Sequence, residues 1–155
     1  MITYRLAEAK DVALIHQLLT QMTADEDSPL GSTPERLLQH GFGPTPRFRA
    51  VLAEAEVPLG LCLFIPEYST WRGALGVFIQ DLYLTPEARG QGAGRGLLAA
   101  SWAAAADWQP EFIALMVKRS NFPAIGFYQN LGFQLRDHSD PMILSGSALA
   151  ALTRL

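Results

Sequence analysis

The chain has one cysteine, Cys62, among its 155 residues. A single thiol rules out an internal disulfide and fits a reducing compartment. No stretch approaches the roughly 20 consecutive apolar residues of a membrane-spanning helix. An excess of one charge is also missing. The net charge is −3, which gives no electrostatic case for a nucleic acid or an anionic membrane surface. The start, MITYRLAEAKD, has no basic stretch followed by an apolar run, so no signal peptide and a cytoplasmic location are expected. His16, His40 and His138 are not at metal-ligand spacing and gather no second ligand type, so no metal is expected. His138-Ser139-Asp140 sits in a polar stretch and reads as a turn, not as a catalytic triad. There is no repeat of fixed period. What is present is a globular composition, 49% hydrophobic and 17% charged, at a length suited to one domain over residues 1–155.

Met1 to Ala7 reads as a strand. Val12, Ile15, Leu19 and Met22 are spaced three, four and three apart, which makes one face of a helix. ADEDSPLGS then breaks the pattern as a loop. Thr33-Pro34-Glu35 is a helix start: a hydroxyl cap, a proline in the first turn and an acid near the positive end of the dipole. That helix carries Leu37 and Leu38 and is expected to stop at Gly41. Arg49 to Glu54 and Leu59 to Ile65 read as a hairpin, PEYSTWRG as a loop, and Val77 to Leu84 as a third long strand. Leu97 to Trp108 reads as helix, and Phe112 to Val117 as an apolar run of the buried-strand kind. Asn121 to Leu131 has an asparagine cap and a Gly132 stop. Phe133 to Leu135 and Met142 to Leu144 read as terminal strands, and Ser147 to Leu155 as a last turn or short helix. Strands and helices alternate, which gives an α/β or α+β class with a mixed sheet. Cys62 lies inside a strand and is expected in the core. Trp102 and Trp108, at helical spacing, are expected to serve packing or an interface.

Between the third long strand and the alanine-rich helix stands ARGQGAGRGLLAA, with Gly90, Gly92, Gly94 and Gly96 on alternate positions. A helix start offers unpaired N–H groups and a partial positive charge. Residues without Cβ let the backbone approach an anion closely. Each glycine entering a helix costs about 1 kcal/mol against alanine, and a turn alone needs one or two. A nucleotide P-loop requires Gly-Lys-Ser/Thr, which does not occur in the chain. The dinucleotide pattern GxGxxG also fails, because Arg95 and Leu97 stand where its last glycine belongs. The remaining pattern, Arg89-Gly90-Gln91-Gly92-Ala93-Gly94, resembles the pyrophosphate loop of the GNAT superfamily of N-acetyltransferases. NFPAIGFYQNLGF resembles that superfamily's Asn-x-x-Ala-x-x-x-Tyr-x-x-x-Gly-Phe helix, with Asn121, Ala124, Tyr128, Gly132 and Phe133 in place. ERLLQHGFGPTPRFRAVLAE, YSTWRG and IQDLYLTPEARGQGAG are similar to segments of the spermidine/spermine (diamine) acetyltransferase branch. Three departures stand out: Gln80 where that branch has a glutamate, Lys118-Arg119-Ser120 where an acidic-aromatic pair precedes the asparagine, and Phe133 where alanine is frequent.

The resemblance implies a mixed, mostly antiparallel sheet, splayed at the cofactor site and flanked by helices. It implies acetyl-CoA as co-substrate and a homodimer. It also implies a bulge in the third long strand that frees backbone groups of Leu82, Tyr83 and Leu84 for the pantetheine amides. Arg89, Gly90, Gln91, Gly92, Ala93, Gly94 and Arg95 would face the pyrophosphate, with Asn121 and Ala124 beside the cofactor tail. Acetyl transfer needs a neutral amine, a polarised carbonyl and a protonated leaving thiolate. With a pKa of ~10.4, only about one amine in a few thousand is neutral at pH 7, equivalent to ~4.6 kcal/mol. Tyr128, a phenol of pKa ~10, suits protonation of a thiolate whose conjugate acid is ~8.5. Asp81 is either the base, or holder of a water, or a structural carboxylate. Gln80 can orient a water or an amine but cannot take a proton. Gln80 and Asp81 face the same side only if a bulge intervenes. Glu26 matches a substrate-binding glutamate of the branch, with Asp25 beside it, while Asp25, Glu26 and Asp27 also read as a solvated loop. Tyr68 and Trp71 either wall an amine pocket or pack the loop. The function expected is N-acetylation of a small primary amine by direct attack in a ternary complex. A peptide N-acetyltransferase and a non-catalytic acyl-CoA-binding domain are the alternatives.

Overall fold

The computed structural model describes residues 1–24, 29–136 and 139–154. It forms two compact units, Met1–Met116 and Val117–Leu155. The first holds a five-stranded sheet: β1 (Thr3–Leu6), β2 (Arg49–Glu54), β3 (Pro58–Ser69), β4 (Ala74–Leu84) and β5 (Phe112–Leu115), in that spatial order. β1 to β4 pair antiparallel, and β5 runs parallel to β4. Consecutive residues of β2 and β3, such as Val51 and Leu52 or Leu61 and Cys62, are all buried, so both faces of the central strands are covered. Helices α1 (Val12–Thr23) and α2 (Pro34–Phe42) cover one face, packing Ile15, Leu18, Leu19 and Leu37 against Ala50, Leu52, Leu61 and Leu63. Each such leucine or isoleucine is worth roughly 1.5–3 kcal/mol of burial. Helix α3 (Ala93–Ala104) packs along the other face against β1 and β2.

Local signals place most starts. The Thr33 hydroxyl accepts from the Arg36 N–H at 3.2 Å, with Pro34 behind it in the first turn. Helix α2 does not stop at Gly41 but runs to Phe42. Gly41 is a packing position, because the Phe48 ring occupies the space a side chain there would need.

Three other boundaries differ from the sequence expectation. The segment PEYSTWRG is not a loop: β3 continues through Ser69, paired with β4 back to Ala74. Pro66 is tolerated because β2 begins, at Arg49, opposite Phe64, and among the described residues no strand pairs with that side of β3 beyond it. The alanine-rich helix begins at Ala93, not Leu97, and ends at Ala104, and Ala106–Trp108 forms a separate 3-10 turn. Arg49 holds that end. Its Nη1 donates to the Ala104 carbonyl at 2.7 Å, it pairs with Asp107, and its guanidinium lies 4.5 Å over the Trp108 ring. β5 is short and half-buried, not a fully buried strand.

In the second unit, α4 (Phe122–Asn130) and α5 (Gly146–Leu152) form as expected. The two expected terminal strands do not. Phe133–Leu135 and Met142–Leu144 form no ladder, and Met142 and Ile143 stay exposed. Apolar content suits a strand, but only a paired edge makes one.

Candidate active site

Two features of β4 open the sheet. Opposite Leu63 of β3 stand two residues of β4, Gln80 and Asp81, while Phe64 pairs with Ile79. This is a β-bulge, and it turns consecutive residues toward the face shared by Leu63. It meets the condition under which Gln80 and Asp81 face one side. β5 pairs with β4 only from Gly76 to Ile79. Among the described residues, β4 from Gln80 to Leu84 is bonded to β3 alone, so no described strand lies on the other side of the edge along Leu82, Tyr83 and Leu84. Backbone groups there suit a ligand that carries amides.

That edge feeds the glycine stretch. Pro86–Ala88 forms a 3-10 turn. Gly90 has φ +76° and Gly92 φ +79°, the left-handed region that glycine enters without a Cβ penalty. Gly92 is the residue that starts α3, and no side chain caps it. The first-turn N–H groups of Ala93, Gly94 and Arg95 therefore have neither an intrahelical acceptor nor a cap. Ala93 and Gly94 are buried, and the first turn carries no acid. It carries instead a cation, Arg95, where the helix dipole disfavours one. An anion at this position resolves both features, so the residues fit a pyrophosphate.

Arg89 and Gln91 also make hydrogen bonds within this stretch. Arg89 Nε donates to the Leu84 carbonyl at 3.2 Å, and its guanidinium stacks over Tyr83. Gln91 Nε2 donates to the Glu87 carbonyl at 2.7 Å. Both side chains brace the loop's shape. Gly96 is no part of the loop: it lies within α3, seated against the Tyr4 ring of β1. Tyr4 is the residue that sequence reasoning missed here, since it is remote in the chain.

The second unit, by itself, presents α4. Asn121 Oδ1 accepts from the Ala124 N–H at 3.3 Å, which caps the helix. At the other end Phe133 N–H donates to the Tyr128 carbonyl and Gly132 N–H to that of Gln129, with Gly132 at φ +99°. This is a Schellman stop, completed by the edge-on contact of Tyr128 with Phe133, ring centroids 5.3 Å apart. The Phe127 ring also lies edge-on to Tyr128, ring centroids 5.1 Å apart. The Asn, Gly and Phe of the motif thus hold the helix that presents Tyr128.

Cys62 is fully buried in β3, and loss of hydration pushes its thiol pKa up to about 12. Trp71 is fully exposed and Tyr68 largely so, so neither packs the hairpin tip. Asp25, Glu26 and Asp27, like His138, lie outside the described residues. Among the described residues no group of three or more His, Cys, Asp or Glu is placed to hold a metal ion. Glu67 was missed because it fell in the expected loop. In β3 it stands opposite Gly76, with the Phe112 ring filling the space above that glycine. Carrying the alternation of Leu61, Leu63 and Ile65 past Pro66 would have put it on the same face as Asp81.

Comparison with known proteins gives a consistent picture. The family model described as "Acetyltransferase (GNAT) family" matches residues 13–133. Thialysine N-epsilon-acetyltransferase of Bos taurus is 30% identical over 141 residues, 84% of this chain and 82% of that protein. Spermidine/spermine N(1)-acetyltransferase-like protein 1 of Homo sapiens is 27% identical over 138 residues, 83% of this chain and 20% of that protein. A solved aminoglycoside acetyltransferase from an uncultured soil metagenomic sample, in complex with sisomicin, superposes with a TM-score of 0.75 at 14% identity, covering 93% of this chain and 95% of that one. At that identity the likeness concerns the fold alone.

Proposed function

The chain belongs to the acetyltransferase (GNAT) family and is an N-acetyltransferase, and from that premise we propose that it acetylates the primary amine of a small molecule, using acetyl-CoA. The substrate class is a diamine, a polyamine or a lysine-like amino acid, as in the names of the similar proteins. In this reading both units act as one domain over residues 1–155, and the protein works as a homodimer.

The observation that carries the reading is the run from β4 into α3. An open strand edge at Leu82 to Leu84 is followed by two left-handed glycines and an uncapped helix start. Acetyl-CoA has amides, then a pyrophosphate, in that order along its length, and it would supply an activated acetyl thioester. The strand edge of Leu82, Tyr83 and Leu84 would hold the amides. Arg89, Gly90, Gln91, Gly92, Ala93, Gly94 and Arg95 would hold the pyrophosphate, with the Arg89 and Gln91 side chains also keeping the loop in shape. Asn121 and Ala124 would lie beside the cofactor tail.

The chain's own groups then manage protons. Asp81, or a water oriented by Gln80, takes the proton of the attacking amine. Tyr128 gives its phenol proton to the departing sulfur; the phenol and thiol values, ~10 and ~8.5, are close enough for a concerted transfer. Asp25 and Glu26 attract the cationic amine. Direct attack is favoured over a covalent acyl-enzyme at Cys62, because a buried thiol raised to about 12 holds its proton at neutral pH.

The test is thiol release from acetyl-CoA against putrescine, spermidine, spermine, lysine, thialysine and N-terminal peptides. Release with free amines and none with peptides is expected. Release with peptides alone would replace this reading by a peptide N-acetyltransferase. Tight acetyl-CoA binding with no release from any amine would favour a binding domain without turnover.

A further inference from the structure

The reaction as assigned makes no use of Glu67. Glu67 stands in β3, and its Oε2 is buried without a hydrogen-bond partner. A carboxylate oxygen shut off from water is costly unless a donor completes it. Arg72, the nearby cation, stacks over the Phe112 ring at 5.2 Å and leaves that oxygen without a donor.

The register shows what surrounds Glu67. Leu63, Ile65 and Glu67 lie on one face of β3, since a strand alternates. Opposite them on β4 stand, in order, the bulged pair Gln80–Asp81, then Phe78, then Gly76. One face of the hairpin therefore offers polar groups at the bulge, an apolar step of half-buried Ile65 and Phe78, and then an acid. Leu63 and Glu67 are about 13 Å apart along the strand, and the side chains shorten the span between their ends. Gly76, opposite Glu67, has no side chain, and the ring of Phe112 from β5 fills the space above it.

A primary amine, a methylene chain and a second ammonium match that order of surfaces. We propose that Glu67 binds the distal ammonium of the substrate and so sets both the second charge and the chain length this enzyme prefers. The proposal rests on the small-amine reading above. It also supplies the carboxylate that Gln80 withholds at the bulge.

The experiment compares wild type with Glu67→Gln and Glu67→Asp on α,ω-diamines of increasing length and on monoamines of matched length. Acetyl-CoA affinity, measured by calorimetry, reports that each variant is folded. Wild type is expected to prefer a diamine to its matched monoamine by tenfold or more in kcat/KM. Glu67→Gln should collapse that preference, chiefly through the diamine KM. Glu67→Asp should keep a preference but move the best diamine to a longer one. A preference retained in Glu67→Gln would overturn the proposal, as would an equal loss for both amine classes or a wild type indifferent to the second charge. Wild type silent on every amine would overturn the small-amine reading itself, and the proposal with it. Amine turnover with the preference surviving Glu67→Gln would leave that reading standing and remove only the role of Glu67.

Discussion

Tyr128 is the residue on which the chemistry can be separated from the fold. Its ring sits edge-on to Phe127 and Phe133, and its backbone carbonyl accepts the bond that ends α4. Phenylalanine at this position keeps the ring contacts and the backbone bond and removes only the hydroxyl. Tyr128→Phe is therefore expected to lower kcat by about 10²–10⁴, the range for a lost general acid. Acetyl-CoA affinity should stay within a few-fold of wild type. Steady-state turnover beside calorimetry checks both, and an undiminished kcat would assign the proton to another group. Asn121, Gly132 and Phe133 show that the motif around the proposed acid Tyr128 also contains residues that shape its helix. A cap, a left-handed stop and an apolar clasp make a short helix hold its shape.

At the scale of elements, the junction of β4 and α3 explains the four glycines by different causes. Gly90 and Gly92 have positive φ, Gly94 is buried in the first turn, and Gly96 makes room for Tyr4. Nothing lies within 4 Å of a Cβ built at Gly92, so an alanine there meets no obstacle except its own backbone. Left-handed geometry costs a residue with a Cβ about 1–2 kcal/mol. Gly92→Ala is expected to lower unfolding free energy by about that amount in a urea titration. It should also weaken acetyl-CoA binding, because the first-turn N–H groups of α3 shift with the loop. Weakened stability with intact binding would separate the loop from the cofactor.

At the scale of the first unit as a whole, one ion cluster ties three separate parts of the chain together. Arg5 of β1 makes a two-pronged pair with Asp11, before α1, at 2.7 and 2.8 Å, and bonds Glu54 at the end of β2. Asp11 also accepts from the Glu8 N–H. The Arg5 hydrogen bonds, above all, lower the buried Asp11 carboxyl from 3.8 to about 2. A carboxyl depressed on folding stabilises above its unfolded value and loses that stabilisation as pH falls through the folded one. The contribution, on the order of 2 kcal/mol, should be complete above pH 4 and fade between about 3.8 and about 2. Asp11→Asn should be less stable than wild type at pH 7, with the gap closing toward pH 2. Thermal unfolding across that range tests it. A gap independent of pH would mean that the pair acts through packing alone.

Sequence by itself determined whatever depends on a few neighbouring residues. The Thr33 and Asn121 caps, the Gly132 stop, the apolar face of α1 and the glycine-rich entry to a helix all follow from short-range bonding and period, and all are present. The need for a bulge at Gln80–Asp81 was legible from strand alternation, but its existence rests on pairing with β3. Tertiary structure alone decided the rest, because each case turns on a partner far away in the chain. β3 runs to Ser69 because β4 pairs with it as far as Ala74. Phe133–Leu135 and Met142–Leu144 have strand composition but pair with no strand among the described residues. Gly96 is read correctly only beside Tyr4, and Glu67 only beside Gly76 and Phe112. Composition and spacing announce what a segment can form; which remote surface meets it decides what it does.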